Sequence, residues 1–241
     1  MSKPPAPPIW TLPPPPPRQR SLGRDEIVAA AIALADEVGA EALTMKAVAA
    51  WLGPYSPMSL YRYVHSKEGL IDLMLDAVTA EVPVPAVVGR DWRGDLADLA
   101  FETRRMLVRH PWYAPLMHTR PPSGPNMMFR LEFMLTVLTA QGAALNDAMT
   151  YAALIDRHIL GSGMQENEEA RFDQRHGLDD AATMTAAMAQ VRDLAAAGGR
   201  FPLLARWLTR PAGPSADERF ALGLEFLLDG IAVRLPGSAR R

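Results

Sequence analysis

The 241-residue chain has no cysteine. Disulfides, thiolate nucleophiles and cysteine-based zinc sites are therefore excluded, and a reducing compartment suits it. Long apolar runs are missing as well, so no membrane span is expected. Prolines crowd residues 4–17, where a secretory signal would carry its apolar core. Strong net charge is also absent, at −2. Such a chain is not a bulk polyanion binder, and any contact with nucleic acid must come from a local patch. The histidines, His65, His110, His118, His158 and His176, lack zinc-ligand spacing. Gly161-Ser162-Gly163 lacks the context of a nucleophile elbow. The expectation is a cytoplasmic protein with no catalytic residues, no metal and no cofactor.

What is present is helical periodicity. Residues 1–20 form a proline-rich tail, with Pro13–Pro17 unbroken, that is expected to be extended or disordered, Trp10 docking loosely or not at all. Beyond it, helices are predicted over 24–38, from Thr44 to Gly53, from Ser56-Pro57, and from Ser66 to before Pro83. In the first, Ile27, Ala31, Leu34 and Val38 share one face. In the fourth, Leu70, Met74, Ala77 and Val78 form a stripe. A proline-bearing connection, Pro83 to Gly89, separates this unit (21–82) from a second (90–237). There, helical patterns recur at about 91–109, 112–118, 125–141, 146–170, 179–197, 201–209 and 216–235, with no strand-like alternation. The fold class is all-α.

The stretch Ala47 to Val64 reads as a short apolar helix, a tight turn and a second short helix. Such a pair cannot bury its own core, and its second helix suits the major groove of DNA. Leu60 and Val64 are spaced to pack inward, which turns Ser59, Tyr61, Arg62 and Tyr63 partly outward. Hydroxyls and guanidinium groups serve phosphates and base edges, and tyrosine rings touch thymine methyls. Lys46, Arg62 and Lys67 flank the motif, whereas the nearby acids lie mostly on the first helix.

Residues 24–81 resemble the DNA-binding domain of the TetR, or tetracycline-repressor-like, regulators. The likeness lies in Glu37-Val38-Gly39, Leu43-Thr44, Val48-Ala49, Leu52-Gly53, Leu60-Tyr61-Arg62-Tyr63-Val64, Lys67 and Leu70. It continues more weakly through His118-Thr119-Arg120-Pro121, Ala140-Gln141-Gly142, Leu160-Gly161 and Glu225 to Gly230, towards a tetracycline-repressor-type C-terminal domain. The resemblance implies that Thr44 and Lys67 hold backbone phosphates and that Lys46 meets a base or phosphate. It puts Pro57, Met58, Ser59, Tyr61 and Tyr63 on the reading face. The turn between Gly53 and Leu60 is one residue longer than is usual in the family.

For the second unit, residues 125–141 are apolar nearly all round, which predicts a central helix carrying Met127, Leu131 and Met134. Methionines give deformable walls and suit a greasy pocket as well as plain core. Polar groups set among apolar ones, Thr103, His118, Asn126, Tyr151, Arg157 and His158, are ligand candidates. By resemblance, Thr103, Met134 and Arg157 fall on ligand-contacting positions. Pro83 stands where tetracycline repressors use a drug-binding histidine, which disfavours a tetracycline–magnesium ligand. Phe220, Leu224, Leu227, Leu228 and Ile231 form an apolar stripe, and Gly223 and Gly230 permit close helix approach. The resemblance implies that 146–170 and 216–235 build a four-helix dimer interface.

The expected protein is a homodimeric regulator, a repressor, that binds a palindromic double-stranded DNA operator and is released by a small, largely apolar effector. Two alternatives stay open from sequence: an activator of the same kind, and an all-helical enzyme or ligand-binding protein with a vestigial helix-turn-helix.

Overall fold

The computed structural model describes residues 9–12, 22–117, 124–176, 181–209 and 213–236. Among them every regular element is helical. Helix α1, Arg24–Val38, opens where the Glu26 carboxylate accepts the Gly23 N–H at 2.7 Å, and stops at Gly39. Helix α2, Met45–Leu52, starts at Thr44, whose hydroxyl accepts the Ala47 N–H at 3.1 Å. Gly53, at φ +108°, ends it in a conformation that favours glycine. Ser56 caps α3, Pro57–Val64, and proline takes the first turn, where an N–H has no partner to lose. Ser66 caps α4, Lys67–Thr79, through the Gly69 N–H at 2.9 Å.

The remaining helices are α5 (Trp92–Arg109), α6 (Tyr113–Met117), α7 (Pro125–Ala140), α8 (Leu145–His176), α9 (Ala181–Ala196), α10 (Pro202–Trp207) and α11 (Ala216–Arg234). Most match the predicted spans within one or two residues. Helix α8 runs six residues past the expected end at 170, because Glu168 and Arg171 pair one turn apart at 3.2 Å and no glycine or proline interrupts before 177. At ~1.5 Å per residue it spans about 48 Å.

One continuous core joins the two units. Ile27, Leu60 and Val64 pack into the same cluster as Met106, Trp112, Met134, Ile155 and Phe220. Helix α4 makes the join. Of the expected stripe Leu70, Met74, Ala77 and Val78, Ala77 is only partly buried, and the stripe is only part of the buried surface, since Ile71, Leu73, Leu75, Asp76 and Thr79 are buried too. A polar clamp reinforces the joint. Asp36 of α1 accepts the Trp112 indole N–H at 2.6 Å and faces His110 Nδ1 at 2.7 Å. Glu81, just past α4, faces His110 Nε2 at 3.2 Å and accepts from Arg109 at 2.8 Å. Burial works against the Glu81 carboxylate, but the bonds from Arg109 and His110 outweigh it and hold its pKa below the usual range.

Three expectations need correction. Val38 does not share the buried face of Ile27, Ala31 and Leu34. It is half exposed, because the last turn of α1 extends beyond the core. Helix α7 is not buried all round, since Met128 and Phe129 face solvent while Met127, Phe133, Met134 and Val137 face inward. In the tail, Ile9–Thr11 form a short 3-10 helix beside α4, with Trp10 partly buried against the core. The rest of the tail lies outside the described residues.

Helix α11 packs on α8 unusually closely. The His158 ring stacks on Phe220 with centroids 4.9 Å apart, and its Nε2 lies 2.9 Å from the Phe220 carbonyl oxygen. A Cβ on Gly223 would come within 2.4 Å of the imidazole. Gly223→Ala should therefore cost about 1–3 kcal/mol through overpacking, read as a lowered melting temperature. Removing the ring by His158→Ala should shrink that penalty in the double variant.

Candidate functional site

The first candidate site is the face presented by α2, α3 and the start of α4. Leu60 and Val64 are fully buried and fix α3 against α1 and α4. That anchoring leaves Met58 and Arg62 exposed, with Pro57, Ser59, Tyr61 and Tyr63 half-buried at the edges. Tyr61 and Tyr63 rest partly on the core, and the Arg24 Nε–H binds the Tyr63 carbonyl at 3.1 Å. Thr44 and Lys46 are exposed at the N-terminus of α2, and Lys67 opens α4. Because Thr44 Oγ1 acts as an acceptor in its cap, its own proton stays available for an anion at that helix end. Among the described residues no carboxylate lies within salt-bridge distance of Lys46, Arg62 or Lys67. Among the described residues the three cations thus have no ion-pair partner, in a chain that is nearly neutral overall. Trp51 and Tyr55, which flank the lengthened turn, are also exposed and were not picked out from sequence.

The second candidate site is a cavity of about 630 Å³ lined by α5, α6, α7 and α8, with Thr79 of α4 on its wall. Its apolar wall includes Met106, Met117, Met127, Leu131, Met149 and Leu160, and its polar groups are Thr79, Thr103, Tyr113, Arg130, Asp156 and Arg157. Four of the expected ligand residues, Thr103, Met127, Leu131 and Arg157, do line it. Four do not. Met134 is fully buried in the core, Tyr151 packs against the core, His158 faces α11, and Asn126 is bound to Asp76. On a helix, successive residues point about 100° apart, so Asp156 and Arg157 can reach the cavity while His158 turns away. His118 lies outside the described residues.

The groups that sequence reasoning missed are the most constrained ones. Arg130 is buried, with its guanidinium 2.8 Å from Asp156 and its Nε–H donating to Thr103 Oγ1 at 3.3 Å. Burial disfavours its charge, but Asp156 more than offsets this, and its pKa is raised. A basic residue inside the apolar run of 125–141 was the available signal. Thr79, on the last turn of α4, donates to the Leu75 carbonyl at 2.8 Å, so the Tyr113 hydroxyl 2.8 Å away must be the donor between those two. Burial raises the Tyr113 pKa.

Helix α4 also holds the opposite cavity wall. Asp76, only 3% exposed, accepts the backbone N–H groups of Asn126 and Met127 at 2.9 and 3.0 Å and the Asn126 side-chain amide at 2.8 Å. A carboxylate from α4 thus caps the N-terminus of α7. Gly124 is required beside it, because a Cβ there would sit 2.0 Å from the carboxylate.

Of the dimerisation residues, Phe220, Leu224, Leu228 and Ile231 are buried within the single chain, and Leu227 is half-buried. The periodicity identified a buried face correctly, but that face meets α5 and α8 of the same chain. The free stripe of α11 carries Leu222, Phe226 and Val233, and Leu154 is exposed on neighbouring α8.

A three-helix reading unit fused through α4 to a cavity-bearing helical body defines a ligand-responsive helix-turn-helix regulator of transcription. Residues 27–74 match the model of bacterial regulatory proteins of the tetR family, and residues 85–235 match that of the tetracyclin repressor-like C-terminal domain. The chain belongs to the TetR family. It is 36% identical over 214 residues to the HTH-type transcriptional repressor DrrR1 of Streptomyces coeruleorubidus, covering 88% of this chain and 78% of that protein. An HTH-type transcriptional regulator of Saccharopolyspora erythraea is 35% identical over 216 residues, with 88% and 85% covered. Among solved structures, the TetR family protein ActR of Streptomyces coelicolor in complex with actinorhodin superposes with a TM-score of 0.74. The two are 26% identical, and the match covers 90% of this chain and 99% of ActR.

The Asp76 cap can be tested directly. Asp76→Ala would strand the first N–H groups of α7 in a buried position, and should lower the free energy of unfolding by about 2–3 kcal/mol. Asp76→Asn keeps an acceptor and should cost less than half of that in denaturant titrations.

Proposed function

We propose that this chain is a repressor that holds a palindromic operator as a homodimer and lets go when a largely apolar effector fills the cavity. The observation that carries this reading is the double duty of α4. It packs beneath the reading helix and supplies Thr79 to the cavity wall. Residues 21–82 would read DNA, with Thr44, Lys46 and Lys67 on phosphates and Pro57, Met58, Ser59, Tyr61, Arg62 and Tyr63 towards base edges. Residues 90–237 would sense and dimerise. The exposed stripe of Leu222, Phe226 and Val233, with Leu154, is the apolar face available for the partner chain. Dimerisation would set two reading helices about 34–36 Å apart, one turn of the duplex. A relative named as a repressor and a relative crystallised with actinorhodin agree with this reading.

The sensor is assigned binding without turnover, and the regulator works where the chromosome is, in the cytoplasm. No helix among the described residues is long and apolar enough to cross a membrane. Effector binding must favour one placement of α4 over another, because a ligand with equal affinity for both shifts nothing. Moving the population from 1:99 to 99:1 takes a differential of about 5.5 kcal/mol. The Thr79–Tyr113 pair and the Asp76 cap are the polar contacts through which the cavity walls grip α4.

Selecting genomic fragments on the purified protein, then screening for compounds that release them, tests the reading as a whole. Retention of no fragment at moderate salt would refute it. Lys67→Ala should weaken binding to every retained fragment alike and reduce the salt slope by about 1; an unchanged slope would take Lys67 off the phosphates. Thr79→Val should keep compound affinity within about threefold, yet demand more than tenfold higher compound to release DNA, a coupling loss of the usual size.

A further inference from the structure

We infer that the effector is an organic anion, an aromatic body bearing one carboxylate or comparably acidic group, held by Arg157 beside the Arg130–Asp156 pair. This rests on the effector-release reading of the cavity and adds the charge and polarity of its ligand.

The lining carries three charged residues, Arg130, Asp156 and Arg157. Asp156 already neutralises Arg130 at 2.8 Å. Arg157 is exposed, and among the described residues it has no carboxylate within salt-bridge distance. The wall therefore holds one uncompensated positive charge next to a closed ion pair. A monoanion pairs with the Arg157 charge and brings the filled cavity to neutrality, whereas a cation raises it to two positive charges beside an apolar wall.

The hydroxyls point the same way. Thr79 donates to Leu75 and Thr103 to Leu99, while Tyr113 donates to Thr79. Each hydroxyl proton is committed, so these groups offer a ligand only lone pairs. Ligand acceptor oxygens are left to the guanidinium groups, which bind carboxylates with charge-assisted, often bidentate geometry. The rest of the wall asks for an apolar body. Met106, Met117, Met127 and Met149 come from four helices and converge on one space. Thioether sulfurs make favourable contacts with aromatic ring edges.

Two dyes with the same rings separate charge from hydrophobicity: 1-anilinonaphthalene-8-sulfonate and N-phenyl-1-naphthylamine, which lacks the sulfonate. Fluorescence titration of the full-length protein should show the sulfonate binding once per chain, at least about tenfold tighter than the neutral dye, as expected for one charge-assisted pair. Arg157→Gln should cost the sulfonate about tenfold and change the neutral dye less than twofold, and Arg157→Lys should restore most of the loss. Leu131→Trp, which fills the cavity, should abolish both. Equal affinity for the two dyes overturns the proposal. So does an equal effect of Arg157→Gln on both, or sulfonate binding that survives Leu131→Trp. Retention of the selected DNA fragments is measured on the same preparations. Charge preference without DNA retention removes the regulator reading and leaves the ligand class standing, and the reverse result removes only the ligand class.

Discussion

Helix α4 has almost no free surface, and the behaviour of the molecule follows from that crowding. One side supports α1 and α3, another carries Asp76 into the N-terminus of α7, and its last turn brings Thr79 to Tyr113. A helix held from so many directions cannot drift by small amounts, since close-packed interiors resist continuous deformation. It moves between discrete placements or stays put. On the proposed reading, a change in cavity shape would reach the DNA-facing helix as a displacement of a rigid rod, with no need for unfolding in between. The Asp36–His110–Glu81 clamp ties the far end of α1 to the same joint, so the reading unit follows α4 as a body.

The fold was largely legible in the sequence because its helices announce their own ends. Thr44, Ser56 and Ser66 each cap the helix they were expected to cap, and Gly39 and Gly53 stop the helices before them. The cavity was half legible. Thr103 and Arg157 stood out as polar groups in apolar surroundings, and they line it. Arg130, Asp156, Thr79 and Tyr113 did not stand out, because their significance is a matter of partners, and partners come from separate helices. Helical periodicity says which residues share a face but not what that face meets. The stripe of α11 shows this most clearly: Phe220, Leu224, Leu228 and Ile231 were rightly seen as needing cover, and α5 and α8 of the same chain provide it.

Buried polarity in this protein lies partly where the two functional parts meet, at Asp76, Thr79 and His110, and partly at the cavity, at Thr103 and Arg130. Asp76, Thr79, Thr103, His110 and Arg130 are its buried polar and charged side chains among the described residues. Each has a hydrogen-bonding partner on another helix. Such groups are costly when mispaired, so they favour one arrangement of helices over near alternatives that an apolar core would tolerate. The apolar core gives stability, and these few contacts define which geometry is stable. The methionine-lined cavity between them remains deformable, so a soft volume is bounded by exacting joints.

With no cysteine in the chain, sulfur enters it only as thioether, and the 13 methionines are its only sites of sulfur oxidation. Their placement is uneven. Met58 stands 72% exposed on α3, whereas Met106 and Met127 are buried in the cavity wall. Sulfoxide formation follows access, so on the proposed reading peroxide would reach Met58 of the DNA-facing helix before Met106 and Met127, with Met149, 43% exposed, the most open thioether on the cavity wall. Oxidative damage would thus blunt recognition of the duplex before it altered perception of the small molecule.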